Sequence, residues 1–188
     1  PELAQQFGHQ YSCNSLDPER SLYYTYTWCY DIVKDSWSKL PPCKLGRKSM
    51  TWEYFSAMDG LLSLVRQPQG GLCFYSSEKK AWRSLGTAAP LVGYHSMARH
   101  NPVRKEVMFA GGNDRGHVVV ILDAEGKTKR MKDCPVDLNV NHDIITVDPV
   151  SGRYLIMGTR EKQLIEFDSA KNEYRLVDDF QKTPYPFG

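Results

Sequence analysis

The chain has 188 residues, a formal net charge of +2 at pH 7 and 41% hydrophobic residues. This length suffices for one domain with a sizeable core, and the interspersed, nearly balanced charges argue against a nucleic-acid partner. No apolar run approaches the roughly 18 residues of a membrane span, and residues 1–15 lack the pattern of a signal peptide. No membrane partner is expected, and the cellular compartment stays open.

The first half of the chain consists of short β-rich runs separated by turn residues. A turn at 17–20 precedes the nearly unbroken run 22–31, which leaves only 25–28 for a very short loop between two strands. Three further strands are predicted at 49–55, 61–65 and 72–76. Apolar residues do not recur at helical spacing, so a many-stranded β protein is indicated.

The second half shows the same unit twice, each time as four strands. The predicted strands are 95–99, 106–110, 117–123 and 128–132, followed by 142–147, 153–157, 163–167 and 173–177. The intervening segments carry Gly, Pro, Asn and Asp, which favour turns for known backbone reasons.

One phrase recurs four times. A bulky residue is followed by Asp or Ser and, six residues later, by Trp, Lys or Tyr, and successive copies start 45, 47 and 45 residues apart. The copies are Tyr30-Asp31…Trp37, Tyr75-Ser76…Trp82, Leu122-Asp123…Lys129 and Phe167-Asp168…Tyr174. A fixed period of this length indicates a repeat architecture.

Four antiparallel strands per repeat of about 45 residues are typical of a β-propeller blade. We therefore predict an all-β propeller of about four four-stranded blades in a single domain or part-domain, 1–188. The expected blades are 1–43, 44–88, 89–135 and 136–180. The chain is then part of a larger propeller, a closed four-blade ring, or half of a ring closed by a homodimer through open blade faces.

The motifs resemble kelch repeats, the blades found in galactose-oxidase-type propellers. A kelch blade has a second strand ending in Gly-Gly, then Tyr-Asp, then Trp, and this chain has Gly111-Gly112 after one strand and Tyr30-Asp31…Trp37 in full. The other copies depart from the pattern at Ser76, Leu122, Lys129, Phe167 and Tyr174. The Asp is expected to accept turn N–H groups, the Trp to fill space between blades and Gly-Gly to adopt positive φ.

Five cysteines show neither a CxxC pair nor metal-like spacing. Cys13, Cys29 and Cys73 lie in strand-like runs and are expected to be buried thiols. Whether any pair forms a disulfide stays open.

Two histidines occupy equivalent positions 47 residues apart. His95 and His142 are predicted to begin the first strands of the third and fourth copies. The kelch resemblance implies that this strand is the innermost, so both side chains are expected near one mouth of the axis. The equivalent position is Tyr11 or His9 in the first copy and Lys48 or Met50 in the second.

Loops between second and third strands supply a second set of candidates. They carry Arg66, Asp114, Arg115 and Arg160. Charged loops on a rigid scaffold are common sites of partner binding.

The favoured interpretation is a non-catalytic binding module with a protein or carbohydrate ligand and no cofactor. No nucleophile elbow, phosphate loop or HExxH motif is present. The alternative is an enzyme of oxidase, hydrolase or lyase type, with a possible metal at the axial mouth near His95 and His142.

Overall fold

A computed structural model describes residues 13–25, 27–43, 49–65, 71–86 and 94–181. Within these residues the chain forms sixteen strands in four antiparallel sheets, each with its strands in consecutive order. The chain divides into two compact units, Pro1–Ala89 and Pro90–Gly188, and each unit contains two sheets. No helix in the described part of the chain is long and apolar enough to span a bilayer.

The first unit holds blades one and two. Blade one consists of β1 (Asn14–Asp17), β2 (Leu22–Thr25), β3 (Trp28–Asp31) and β4 (Ser36–Lys39). Blade two consists of β5 (Ser49–Phe55), β6 (Gly60–Val65), β7 (Gly71–Ser76) and β8 (Ala81–Ser84), with a 3-10 helix at Ser56–Met58. The short loop predicted inside 22–31 is confirmed, because β2 and β3 are only two residues apart.

The second unit holds blades three and four. Blade three consists of β9 (Met97–Asn101), β10 (Glu106–Ala110), β11 (Val119–Leu122) and β12 (Thr128–Arg130). Blade four consists of β13 (Ile144–Val147), β14 (Tyr154–Gly158), β15 (Gln163–Asp168) and β16 (Glu173–Asp179). The all-β class and the four four-stranded blades predicted from the sequence are confirmed.

The recurring Asp caps the turn between the third and fourth strands. Asp31 accepts the N–H groups of Val33 and Lys34, at 3.1 and 3.0 Å from its Oδ1 atom. Asp168 bonds in the same way, and Asp123 accepts the N–H groups two and four residues further on. Ser76 accepts the N–H of Lys79 through its hydroxyl. The substitution of Ser for Asp in the second copy therefore preserves the cap.

The third copy differs from the prediction at the Trp position. Lys129 was expected to replace Trp, but the residue paired with Leu122 is Thr128, whereas Lys129 pairs with Ile121. The expectation is wrong because this turn is one residue shorter than the turn between Asp31 and Ser36.

The cysteine prediction holds in part. Cys13, Cys29 and Cys134 are buried thiols. Cys73, which was expected to be free, instead forms a disulfide with Cys43. The pairing joins the segment after β4 to β7, two places that are 30 residues apart in sequence.

Apolar side chains pack between the two blades of the second unit. One cluster contains Met97, Met108 and Ile121 from blade three together with Tyr154 and Phe167 from blade four. Alternation along β14 explains the burial, since Tyr154 is buried and the following Leu155 is only half-buried. Burial of this kind is the main favourable contribution to joining the blades.

A polar network joins the same two blades at the edge that carries the turns between strands one and two and between strands three and four. Arg104 donates to Asp168 Oδ1 at 2.8 Å and to Ser169 Oγ at 2.7 Å. Ser169 in turn donates to Glu106 Oε1 at 2.5 Å. Asn101 Nδ2 donates to the Gly152 carbonyl at 2.8 Å. These bonds fix blade four against blade three.

We predict that Glu106→Gln will change the pH dependence of stability. Burial raises the pKa of Glu106, so its contribution to stability is present below the unfolded pKa of about 4.3 and lost as pH rises through the folded pKa. The free energy of unfolding in urea, measured at pH 4 and pH 7, should therefore fall less with rising pH in the variant than in the wild type.

Glu166→Gln is the matched control, because the shift there has the opposite sign. The hydrogen bond from Arg175 lowers the pKa of Glu166, so its contribution is present above the unfolded pKa and lost as pH falls. Relative to the wild type, the two variants should change the slope of the unfolding free energy against pH in opposite directions. Equal slopes in wild type and both variants would contradict the prediction.

Candidate functional site

The order of the strands places several loops at one edge of the second unit. In an antiparallel meander, the segment that enters the first strand and the loop between the second and third strands lie at the same edge. That edge of blades three and four is formed by residues 94–96, 111–118, 131–143 and 159–162. We call it the loop edge.

Asn113 is the hub of the loop edge. Its Oδ1 atom accepts a hydrogen bond from Asn139 Nδ2 at 3.0 Å and lies 3.2 Å from His95 Nδ1. Because Oδ1 is an acceptor, this contact requires the imidazole hydrogen on Nδ1. The backbone N–H of Asn113 donates to the Tyr94 carbonyl at 2.6 Å. Three loops are thus joined, and the plane of the Asn113 amide is set.

His95 does not begin a strand, contrary to the prediction. β9 begins at Met97, and His95 has a φ of 65°, which an extended strand does not adopt. The ring of His95 lies 3.9 Å from that of Tyr94, centroid to centroid, and its carbonyl accepts the N–H of Val140 at 3.0 Å.

His142 also precedes its strand rather than beginning it. β13 begins at Ile144, and the N–H of His142 donates to the Asn139 carbonyl at 3.0 Å in a turn. The carbonyl of His142 accepts the Thr159 hydroxyl at 2.9 Å, and its side chain is exposed. The two histidines keep the equivalence predicted from the 47-residue spacing, each lying two residues before the first strand of its blade.

Asp143 braces the segment around His142. Its side chain is buried, and its two oxygens accept the N–H groups of Asn139 at 2.7 Å and of Thr159 at 3.0 Å. These bonds use both carboxylate oxygens in holding the loops together. The sequence alone identified neither this role of Asp143 nor the role of Asn139. Asn139 forms a local turn in which its Oδ1 atom accepts the N–H of Asn141. Asn is a residue type that favours such turns, so its presence was an available signal.

Charged side chains share the loop edge with the bonded pair Asn113 and Asn139, which we call the amide cluster. Asp114, Arg115 and Arg160 are exposed, and Arg160 lies 3.6 Å from Asp137. Asp114 has a φ of 62°, a conformation that Asp tolerates better than most residues. These three predicted site residues therefore share the loop edge with both histidines. The other three, Tyr11, Lys48 and Arg66, lie outside the described residues.

Cys134 is a buried residue of the loop edge. Its carbonyl is 2.8 Å from His117 Nδ1, and its thiol is buried. Burial raises the pKa of this thiol to about 12, so the thiol stays protonated at neutral pH. His117, which was predicted to begin the third strand, instead lies in the loop before β11.

The geometry offers fixed amides, imidazole rings and exposed charges. Among the described residues, no group of three or more His, Cys, Asp or Glu side chains is arranged to hold a metal ion. The arrangement of the described residues can form directional hydrogen bonds to a ligand at the amide cluster.

No protein-family model matches the sequence, and no curated protein matches it. Solved structures of β-propeller proteins do match the fold. One is an auxiliary nutrient binding protein from Bacteroides thetaiotaomicron, which has a TM-score of 0.61 and 16% identity over 91% of this chain and 42% of its own.

Two further matches show how varied these propellers are. A nidogen/laminin complex has a TM-score of 0.61 and 10% identity over 88% of this chain and 61% of its own. A streptogramin B lyase has a TM-score of 0.59 and 10% identity over 88% of this chain and 53% of its own. The chain thus spans less than two thirds of the length of each of these structures. At these identities the likeness defines the fold alone, which is that of a β-propeller protein. Membership of the kelch family stays a prediction.

Proposed function

We propose that this chain is a non-catalytic binding module whose ligand contacts the loop edge of blades three and four. The observation that carries the proposal is the hydrogen bonding around Asn113, which links its amide to Asn139 and His95. Groups fixed before a ligand arrives lose little conformational entropy on binding. Exposed loops on a rigid β scaffold are suited to this role.

A carbohydrate is the ligand that the centre of the loop edge favours. Asn amides both donate and accept hydrogen bonds, as sugar hydroxyl groups do. Tyr94 and His95 add flat ring surfaces beside the amides, and such rings bury apolar area while keeping a polar tip. A nutrient binding protein is among the similar structures.

A protein partner is the second candidate, and the charged rim favours it. Asp114, Arg115 and Arg160 are exposed around the amide cluster and carry charges of both signs. Mixed charges of this kind give specificity and faster association in protein complexes. A laminin complex is also among the similar structures.

The enzyme alternative receives no comparable support from the described residues. A metal bound by His95 and His142 would need a further ligand, and the neighbouring carboxylate of Asp143 already accepts two backbone N–H groups. Metal analysis of the purified chain distinguishes the two interpretations. A stoichiometric metal would favour the enzyme.

We predict that Asn113→Ala will weaken carbohydrate binding at least tenfold. A tenfold loss corresponds to about 1.4 kcal/mol, which is close to the net contribution of about one hydrogen bond. The measurement is a titration of the chain against a panel of neutral oligosaccharides by isothermal calorimetry. Asn139→Ala should weaken binding similarly, because it removes the donor that orients Asn113.

Lys105→Ala is the control, because this exposed side chain lies in the turn between β9 and β10, at the opposite edge. Oligosaccharide binding that both Asn variants leave unchanged would refute the proposed site. A panel without any binding sugar would overturn the carbohydrate assignment. Arg115→Ala and Arg160→Ala would then be compared in a screen for protein partners.

A further inference from the structure

Blade one presents a row of large side chains across its four strands. Leu16, Tyr23, Tyr30 and Trp37 are paired in register from strand to strand, so they lie on one face. The rings of Tyr30 and Trp37 are 4.9 Å apart. Leu16 is 50% exposed and Trp37 is 42% exposed. We call these four residues the ladder of blade one.

Blade two contains the same ladder, but there it is covered. Tyr54, Leu61, Tyr75 and Trp82 are paired in register. Leu61, Tyr75 and Trp82 pack in one cluster with residues of blade one, namely Tyr24, Cys29 and Leu40. Trp82 also donates through Nε1 to the carbonyl of Pro41 at 2.8 Å. Within the first unit, a ladder is therefore covered by the opposite face of another blade.

The second unit repeats this arrangement. Phe167 and Tyr174 of blade four stack at 4.4 Å and pack against a cluster that includes Met97, Met108 and Ile121 of blade three. The covering residues of blade three share one face, because Met97 pairs with Ala110 and Met108 with Ile121. The described residues thus contain two examples of one kind of interface, a ladder against a covering face.

Blade four carries a second covering face, whose side chains are exposed or half-buried in the part of the chain that the structure describes. Ile144 and Leu155 lie at the positions of Met97 and Met108, each 47 residues further along the chain. Ile144, Met157 and Leu164 are paired in register and therefore share this face. Ile144 is 61% exposed, and the other two are half-buried. We call this the covering face of blade four.

One pair of exposed charges at the two faces is complementary. On the ladder side, Lys39 is exposed on the outer strand and lies 6.0 Å from the ring of Trp28. On the covering face, Asp178 pairs with Leu164 and is exposed on the corresponding outer strand. Lys39 and Asp178 both lie towards the C-terminal end of the fourth strand of their blades. Opposite charges at the same end of the fourth strands favour one orientation of docking.

We propose that the ladder of blade one packs against the covering face of blade four from a second copy of this chain. The interface is head-to-tail, and two such interfaces close a symmetric dimer. In this dimer the ladder of blade one packs against a covering face, as the ladders of blades two and four do within the chain.

The test is the solution mass of the full chain, measured by sedimentation equilibrium over a range of concentrations. Wild type is expected at twice the chain mass of 21.5 kDa. Trp37→Glu and Ile144→Glu each place a charge in one of the two faces, so each variant alone is expected to be monomeric. Val150→Glu is the control, since Val150 is exposed in the turn between β13 and β14, and it should leave the dimer intact.

Mixing the two variants gives the decisive result. The ladder of the Ile144→Glu chain and the covering face of the Trp37→Glu chain are both intact, so an equimolar mixture should regain a mass of two chains. Leu16→Glu replaces Trp37→Glu if the latter fails to unfold cooperatively in circular dichroism. A monomeric wild type, a monomeric mixture, or dimerisation by either variant alone would overturn the proposal.

Discussion

Gly111→Ala is expected to lower the free energy of unfolding of the second unit by about 3 to 5 kcal/mol. Gly111 has a φ of 69°, which costs an Ala side chain about 1 to 2 kcal/mol. A Cβ atom there would also lie 2.2 Å from the Leu138 carbonyl oxygen. That oxygen accepts the N–H of Gly112 at 2.8 Å, so the backbone cannot move away without losing a hydrogen bond.

Gly152→Ala provides a matched comparison in the same unit. Its φ of 67° is nearly the same, but the nearest atoms to a Cβ would be side-chain carbons of Val103 at 3.0 Å. These atoms have more freedom to shift than a carbonyl, so we expect a loss of about 1 to 2 kcal/mol. The difference between the variants isolates the backbone contact at Leu138. Equal losses of unfolding free energy in the two variants would show that the positive φ, and not the contact with Leu138, determines the cost.

Urea unfolding followed by circular dichroism is the appropriate measurement. All four tryptophans belong to the first unit, so tryptophan fluorescence would report on the unfolding of that unit and not of the second. Gly111→Ala should also weaken the ligand binding that we propose at the loop edge. The reason is that Leu138 immediately precedes Asn139, whose amide bonds to Asn113.

Arg104→Met is expected to destabilise the second unit by about 2 to 3 kcal/mol. The side chains of Arg104 and Asp168 are only 18% and 14% exposed, and their atoms meet at 2.8 Å. Met has a similar length, so the main loss is the charge and its hydrogen bonds to Asp168 and Ser169. A partly buried carboxylate would remain with one fewer donor.

Arg175→Met tests whether any Arg–carboxylate pair would give the same loss. Arg175 pairs with Glu166 at 3.1 Å, but its side chain is 64% exposed. Solvent screens such pairs, so a loss below about 1 kcal/mol is expected. The measurement is again urea unfolding by circular dichroism. A loss for Arg175→Met as large as that for Arg104→Met would contradict the role assigned to the network between blades.

The sequence predicted the strands well because they depend on local chemistry. The bounds of β10 and β5 agree fully with the prediction, since each apolar run ends at residues that favour turns. The caps at Asp31, Asp123 and Asp168 follow from hydrogen bonds that span only two to four residues. The positive φ angles of Gly111 and Gly112 also follow from residue type.

The candidate site was predicted only in part. His95, His142 and the charged loop residues were identified, because a repeat of fixed period places equivalent residues at equivalent positions. The hydrogen-bond partners of these residues were not predicted. Asn113 and Asn139 are 26 residues apart, and Arg104 and Ser169 are 65 apart; no local pattern indicates that such residues will bond.

Sequence alone thus determined the all-β class, the four repeated blades and the capped turns, since period and turn chemistry are properties of short segments. Tertiary structure decided that His95 and His142 lie in turns, that Cys73 is bonded to Cys43 and that Asn113 and Asn139 meet. Such contacts depend on how neighbouring blades pack, because the free energy of packing is shared among residues far apart in the chain.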